Sequence, residues 1–223
     1  MTKQSPNRSR AREIAADFIL RGDPTGWFEA LYREAESGTA EVPWADLRPN
    51  RNLLDFWCAH PLEIGGKSAL AVGCGLGDDA EQLAAWGYHT TAFDISPAAI
   101  KAARERFPAT AVDYITADLF AAPADWKQSF DFVVEIYTLQ VLPAKLRPQA
   151  VHKIAEFLRR SGVLLAIARG RDTADPEGEM PWPLMREQFD EFTRAGLKEI
   201  SFEDYCDPED PSVRRFRAAY TRL

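Results

Sequence analysis

The sequence predicts a doubly wound α/β fold: a mostly parallel, seven-stranded sheet covered by helices, behind an N-terminal helical extension. Three observations carry this expectation. Residues 68–94, SALAVGCGLGDDAEQLAAWGYHTTAFD, run from a short apolar strand through a glycine turn and an amphipathic helix into a second strand that ends in an acid. The same strand-and-helix alternation then repeats as far as Ala168. Two further strand-like runs close the chain.

The extension comes first. Residues 1–10 hold too little apolar surface to pack and are expected to be a disordered tail. Ile14, Phe18 and Ile19 suit a helix over 11–21, closed by Gly22, Asp23 and Pro24. Trp27, Phe28, Leu31 and Tyr32 share one face of a second helix over 27–35, which reads as a cover for the sheet domain. A turn-rich connector, VPWADLRPNRNLLDFW over 42–57, leads into a third helix. The extension and its lid are assigned to 11–60 and the sheet domain to 61–223.

In the organising stretch, Ala69–Val72 is the first strand and Gly73, Gly75 and Gly77 form the turn. Asp78 and Asp79 open a helix that Gly87 ends, and His89–Phe93 is the second strand, with Asp94 at its tip. Such an acid accepts ribose hydroxyls of a nucleotide-like ligand held over the turn. A dinucleotide fingerprint would need its third glycine at position 78, where Asp78 stands. A carboxylate at the helix start also disfavours a pyrophosphate. Both points argue against an NAD(P)-dependent oxidoreductase and favour a cationic, phosphate-free cofactor such as S-adenosylmethionine (SAM).

Ser96 and Pro97 then cap a helix that runs to Phe107, and Val112–Thr116 is the third strand. Asp118 lies 24 residues after Asp94, one helix-plus-strand repeat later. DFVVEIY over 131–137 is the fourth strand. Its Glu135 is expensive to bury unpaired, so it has either a structural partner or a cationic ligand. Arg147–Arg160 is expected to be a helix, Gly162–Ala168 the fifth strand, and residues 169–183 a long polar loop placed to cover the ligand crevice. Met180 and Trp182 on that loop touch either an apolar acceptor or the loop's own surroundings. Leu184–Ala195 is a helix, and Leu197–Phe202 and Phe216–Tyr220 are the closing strands, joined by an acidic loop over 204–211.

The G-x-G-x-G turn followed by an acid 17 residues later resembles the class I SAM-dependent methyltransferases. With Pro43-Trp44 upstream and Ala71 where most of that family has an acid, the chain looks closest to the thiopurine and thiol methyltransferase branch. The resemblance implies that the closing strands are antiparallel. It also implies a cofactor site made by Trp44, the turn (Gly73, Cys74, Gly75, Gly77 and Asp78), Asp94, Ile95, Asp118, Leu119 and Glu135. Within the turn, Cys74 is expected to be a small filler. Asp118 and its apolar neighbours are placed at the adenine, and Glu135 and Tyr137 at the transfer site. Trp44 contacts cofactor or lid, or else fills a gap between the extension and the sheet.

A formal charge of −7 and a pI near 5.1 argue against a nucleic-acid substrate. No apolar run is long enough to span a bilayer, and the start of the chain lacks a signal core. Three scattered cysteines form no zinc or disulfide pattern, which suits reducing cytosol. His152, alone on its helix, reads as a surface residue rather than a base. The functional expectation is methyl transfer from SAM to a small molecule, a thiol or other soft nucleophile first. A phenol, amine or carboxylate acceptor comes next, and a non-catalytic SAM-binding module is the alternative outside enzymology.

Overall fold

The computed structural model describes residues 6–223, so the first five residues of the expected tail lie outside the described residues. Seven strands form one sheet: β1 (Ser68–Val72), β2 (His89–Asp94), β3 (Asp113–Thr116), β4 (Phe130–Ile136), β5 (Leu158–Arg169), β6 (Leu197–Cys206) and β7 (Arg214–Arg222). Their order is β3-β2-β1-β4-β5-β7-β6. Strands β1 to β5 are parallel, and β7 runs antiparallel to both β5 and β6. Strand order reverses between β1 and β4, the switch point above which ligands sit in open α/β sheets.

Among the described residues, seven α-helices complete the fold: α1 (Pro6–Leu20), α2 (Trp27–Glu36), α3 (Arg51–Ala59), α4 (Asp78–Ala85), α5 (Pro97–Arg106), α6 (Arg147–Phe157) and α7 (Arg186–Arg194). Both faces of the sheet are buried, as parallel strands require. Leu70, Val72, Val133 and Leu164 pack on one side with Val151 and Ile154 of α6 and Phe189 and Phe192 of α7. Ala69, Ala71, Phe132 and Leu165 face the other way, onto Leu53 and Phe56 of α3, Leu83 of α4 and Ile100 of α5.

A third, smaller core builds a roof. Ala11 and Ile14 of α1, Trp27 and Leu31 of α2, Val141 and Met180 are buried together, so the extension and the loop after β5 share one apolar interior. The roof is tied to the domain by Glu29, whose Oε2 accepts from Ser96 Oγ at 2.6 Å and from the Ala98 N–H at 3.0 Å. Burial pushes that carboxyl up, but the Ser96 and Ala98 donors and the Arg33 cation outweigh it and hold it below the ordinary range. It sits at the N-terminus of α5, where a negative charge is favoured.

Most boundaries shift by one or two residues, and three shift further. Helix α1 begins at Pro6, so half of the expected tail is helical. Helix α6 stops at Phe157 rather than Arg160, because Leu158 pairs with Phe130 and Arg160 with Arg222 across the sheet. The Arg222 guanidinium then donates to the carbonyls of Ala155 and Leu158 at 2.6 and 2.7 Å, satisfying acceptors that the helix end leaves open. The closing strands are antiparallel as the resemblance implied, but they consume part of the expected acidic loop. Asp204, Tyr205 and Cys206 pair with Phe216, Arg215 and Arg214, and Arg214 bonds the Asp204 carboxylate at 2.6 and 2.7 Å. In β6 the ladder slips between Glu199 and Ser201, leaving Ile200 unpaired and 55% exposed at a bulge.

Candidate functional site

One cleft follows the carboxyl ends of the strands beneath the roof. The turn after β1 contributes Gly73 to its floor. Gly73 has φ +61°, and a Cβ there would lie 2.5 Å from Thr138 Oγ1. Gly77 has φ +91°, and a Cβ there would lie 2.2 Å from the Tyr114 hydroxyl. Both positions therefore need glycine for the backbone angle and for space. The Tyr114 hydroxyl also bonds Glu81 at 2.8 Å, which locks β3 onto the start of α4.

Asp94, at the tip of β2, is 7% exposed and lines the cleft. Its Oδ2 accepts from the Gly75 N–H at 3.0 Å and its Oδ1 from the Ser96 N–H at 2.9 Å. The carboxylate thus joins the glycine turn to the start of α5 and keeps lone pairs for a ligand. Burial raises it to about 6, against the pull of those backbone donors. Phe93, Ile95, Leu119 and Phe120 bring apolar surface to the same end. Asp118 also lines it, with Oδ1 accepting from the Phe120 N–H at 2.8 Å.

Trp44 lines the cleft from the connector and belongs to the roof core, with Nε1 donating to the Tyr32 hydroxyl at 3.1 Å. Trp44 thus packs in the roof and also faces the cleft. Tyr32 itself reaches down to Gly75, where its hydroxyl would lie 2.8 Å from an added Cβ.

The far end of the cleft is built from the ends of β4, β5 and β7. Tyr137 follows β4 with φ +69°, a costly angle for a side-chain-bearing residue that its surroundings hold in place. The Asn52 amide donates to the Tyr137 hydroxyl at 3.1 Å, and the Arg215 guanidinium lies over the ring at 4.5 Å. Burial raises the phenol from its ordinary value. Arg169 and Arg215 line this end from β5 and β7, and Met180 and Pro181 of the loop, with Arg8 of α1, line it from the roof.

Seven of the expected residues line the cleft: Trp44, Gly73, Asp94, Ile95, Asp118, Leu119 and Tyr137. Cys74, Gly75, Gly77, Asp78 and Glu135 do not. Cys74 packs against the core on the α3 and α4 side, as a filler would. Asp78 is bound in two places by Arg106, at 2.7 and 2.8 Å, so its charge is spent inside the protein. The charge objection to a pyrophosphate drawn from Asp78 therefore lapses, while the glycine spacing stands. Glu135 is fully buried on the α6 side of β4. Its Oε1 accepts from the Thr138 and Leu139 N–H groups at 2.8 and 2.9 Å, its Oε2 has no hydrogen-bond partner among the described residues, and burial raises it to about 7. It organises the turn after β4 and does not line the cleft, although it was expected at the transfer site.

The sequence reading missed Tyr32, Thr138, Arg169 and Arg215 as cleft residues. Position after a parallel strand could have marked Thr138 and Arg169. Tyr32 and Arg215 depend on how the roof and β7 fold back, which no local pattern announces. Among the described residues, no group of His, Cys, Asp and Glu could hold a metal ion.

Residues 69–162 match a family model described as a methyltransferase domain. No curated protein matches the sequence. Among solved structures, one reported for the conversion of a disulfide bond into a thioacetal group during echinomycin biosynthesis is 20% identical, with a TM-score of 0.71 over 89% of this chain and 91% of that one. The 1,6-didemethyltoxoflavin-N1-methyltransferase of Burkholderia thailandensis, solved with that compound and S-adenosylhomocysteine (SAH), is 14% identical. Its TM-score is 0.66, over 100% of this chain and 93% of the other. A TehB-like SAM-dependent methyltransferase from Corynebacterium glutamicum is 16% identical, with a TM-score of 0.60 over 97% and 100% of the two chains. Residues 69–162 thus match a methyltransferase domain, and the strand order and these likenesses show that the chain has the fold of SAM-dependent methyltransferases.

Proposed function

We propose that the protein transfers a methyl group from SAM to a small-molecule acceptor, and that a thiol or other soft nucleophile is the first class to test. The observation that carries this reading is a single cleft with two chemically different ends. The end formed by β1, β2 and β3 suits adenosine: the buried Asp94 carboxylate offers acceptors for ribose hydroxyls, Asp118 brings a second acid for the adenine amino group that the resemblance expects there, and Ile95, Leu119 and Phe120 offer apolar cover. The opposite end, at Tyr137, Arg169 and Met180, leaves room for a second molecule. That room favours an enzyme over a non-catalytic SAM-binding module.

SAM, when bound, supplies a methyl group already activated by its sulfonium. The protein then has to align the nucleophile and exclude water. The roof over the strand ends performs the second task. Among the described residues no histidine lines the cleft, and Tyr137 holds its proton, since burial raises it further. An acceptor that ionises by itself near neutral pH fits this inventory, and two neighbouring arginines favour a thiolate over a thiol. A phenol or amine, which needs more help from a base, is the second reading. The three cysteines are free, which agrees with a cytosolic protein, and no helix among the described residues is long and apolar enough to cross a membrane.

The test is calorimetry with SAH and NADH, followed by transfer of labelled methyl from SAM to a panel of thiols, phenols, amines and carboxylates. SAH binding without NADH binding, and label on a thiol, are expected. NADH binding alone would overturn the cofactor, and label confined to phenols or amines would overturn the acceptor.

A further inference from the structure

We infer that the acceptor carries an anionic group, a carboxylate or a phosphate, which is held at the far end of the cleft by Arg169 with Arg215 beside it. The inference deepens the reading above by naming the acceptor's charge, and it stands on the sheet register and on the distribution of ion pairs.

Arg169 and Arg215 are directly opposite each other on β5 and β7. Directly opposed residues of an antiparallel pair point to the same face, and like charges placed there repel. Both side chains line the cleft, and Arg8 of α1 adds a third cation from the roof. In a chain of net charge −7, this is a local reversal of sign.

Each neighbouring acid is already engaged. Asp207 takes the Arg215 Nε at 2.6 Å. Asp210 accepts from the N–H and hydroxyl of Ser212 at 3.2 and 2.6 Å. Glu179 pairs with Arg12 at 2.5 Å, and Arg12 also donates to the Met180 carbonyl at 2.6 Å.

The Arg169 guanidinium, half-buried, has no hydrogen bond or ion pair among the described residues. Burial, with the Arg8 and Arg215 cations, lowers it from its ordinary value. Its backbone is fixed nonetheless. The Arg169 N–H donates to Gln140 Oε1 at 2.7 Å, and its carbonyl accepts from the Leu184 N–H at 2.8 Å. A rigidly mounted, unpaired guanidinium facing another cation is costly unless an anion joins them, and its planar fork matches a carboxylate or phosphate in two bonds. Tyr137 and Met180 then flank the body of the acceptor, while Asp94 and Asp118 keep the cofactor end acidic. Charge is therefore segregated along the strand ends: acids on β2 and after β3, bases on β5 and β7.

The experiment is calorimetric titration of benzoate, phenyl phosphate and the neutral isostere benzamide into the full chain, with and without saturating SAH. At least one anion is expected to bind about tenfold or more tightly than benzamide. The anion that wins separates carboxylate from phosphate recognition. In Arg169→Gln the preference should fall to near parity, with SAH affinity unchanged and an anion-free melting temperature no lower than that of the wild type. Arg169→Lys should keep part of it, and that variant decides the matter if the glutamine variant does not fold. Equal binding of benzamide, no binding by either anion, or a preference that survives both substitutions would overturn the inference. If the anion preference holds but SAH fails to bind, the methyltransferase reading fails and the anion site remains.

Discussion

Asp94→Asn is the substitution that most directly separates cofactor binding from folding. In the wild type each carboxylate oxygen accepts one backbone N–H, from Gly75 or Ser96, and has further lone-pair capacity toward the cleft. Asparagine keeps one oxygen and must turn its NH2 toward the other N–H. One buried donor is then unpaired, at a cost of about 1–3 kcal/mol, partly offset because a buried charge has been removed. On the ligand side one charge-assisted acceptor is lost, about 1.5–3 kcal/mol, or roughly 10- to 150-fold in the Kd of SAH. The carboxyl is raised to about 6 by burial, against the Ser96 and Gly75 donors. The folded protein therefore takes up a proton here that the unfolded chain does not, and the ligand-free protein loses stability as pH rises through that window. Ribose hydroxyls donate to the ionised form, so SAH affinity should weaken as pH falls below about 6, approaching tenfold per pH unit. That dependence should vanish in the variant. Calorimetry across the window, with melting curves on both proteins, measures both effects. A folded variant that binds SAH within about twofold of wild type, or a wild-type affinity flat through pH 6, would refute the assignment of Asp94.

Two further outcomes follow from the same geometry. Glu135→Gln retains an oxygen for the Thr138 and Leu139 N–H groups, so below about pH 4.5, where the wild-type carboxyl is protonated folded or unfolded, stability should stay within about 1 kcal/mol of wild type. Because burial raises Glu135 to about 7, its contribution is present below its unfolded value and lost as pH rises through 7, and the variant should be the more stable protein in alkali. Urea melts at about pH 4 and about pH 8 check this; loss of SAH binding in a folded variant would assign Glu135 to the cofactor site. Gly77→Ala meets the Tyr114 hydroxyl and a left-handed φ, and should cost about 2–4 kcal/mol in thermal melts. Adding Tyr114→Phe should recover the steric part alone, and a fully tolerated alanine would show the turn to be looser than described.

The parallel half of the fold was legible because each strand there is announced by local chemistry. Gly73 to Gly77 must bend, Asp94 and Asp118 stand at strand tips, and Ser96-Pro97 starts a helix. The boundary at Leu158 was not legible: the apolar stripe of α6 runs into it without a break, and only pairing with Phe130 and capping by Arg222 end the helix. At the site, residues on successive strand ends were found by register, while Arg215 was hidden because β7 returns from the far end of the chain to meet Arg169. Glu135 was noticed for the right reason, the expense of an acid in an apolar strand, but alternation turned it to the α6 face, where backbone N–H groups meet it.

The bulge at Ile200 bears on the protein's solubility. Strand β6 is the long outer strand of the sheet, with ten residues, and an outer strand of that length offers unsatisfied backbone groups to any passing chain. The slip between Glu199 and Ser201 breaks that row near its middle, and Lys198, Glu199, Glu203 and Asp204 distribute charge along it. An exposed isoleucine thus sits where the backbone least resembles a template, and strand addition by a second copy is discouraged by shape as well as by charge.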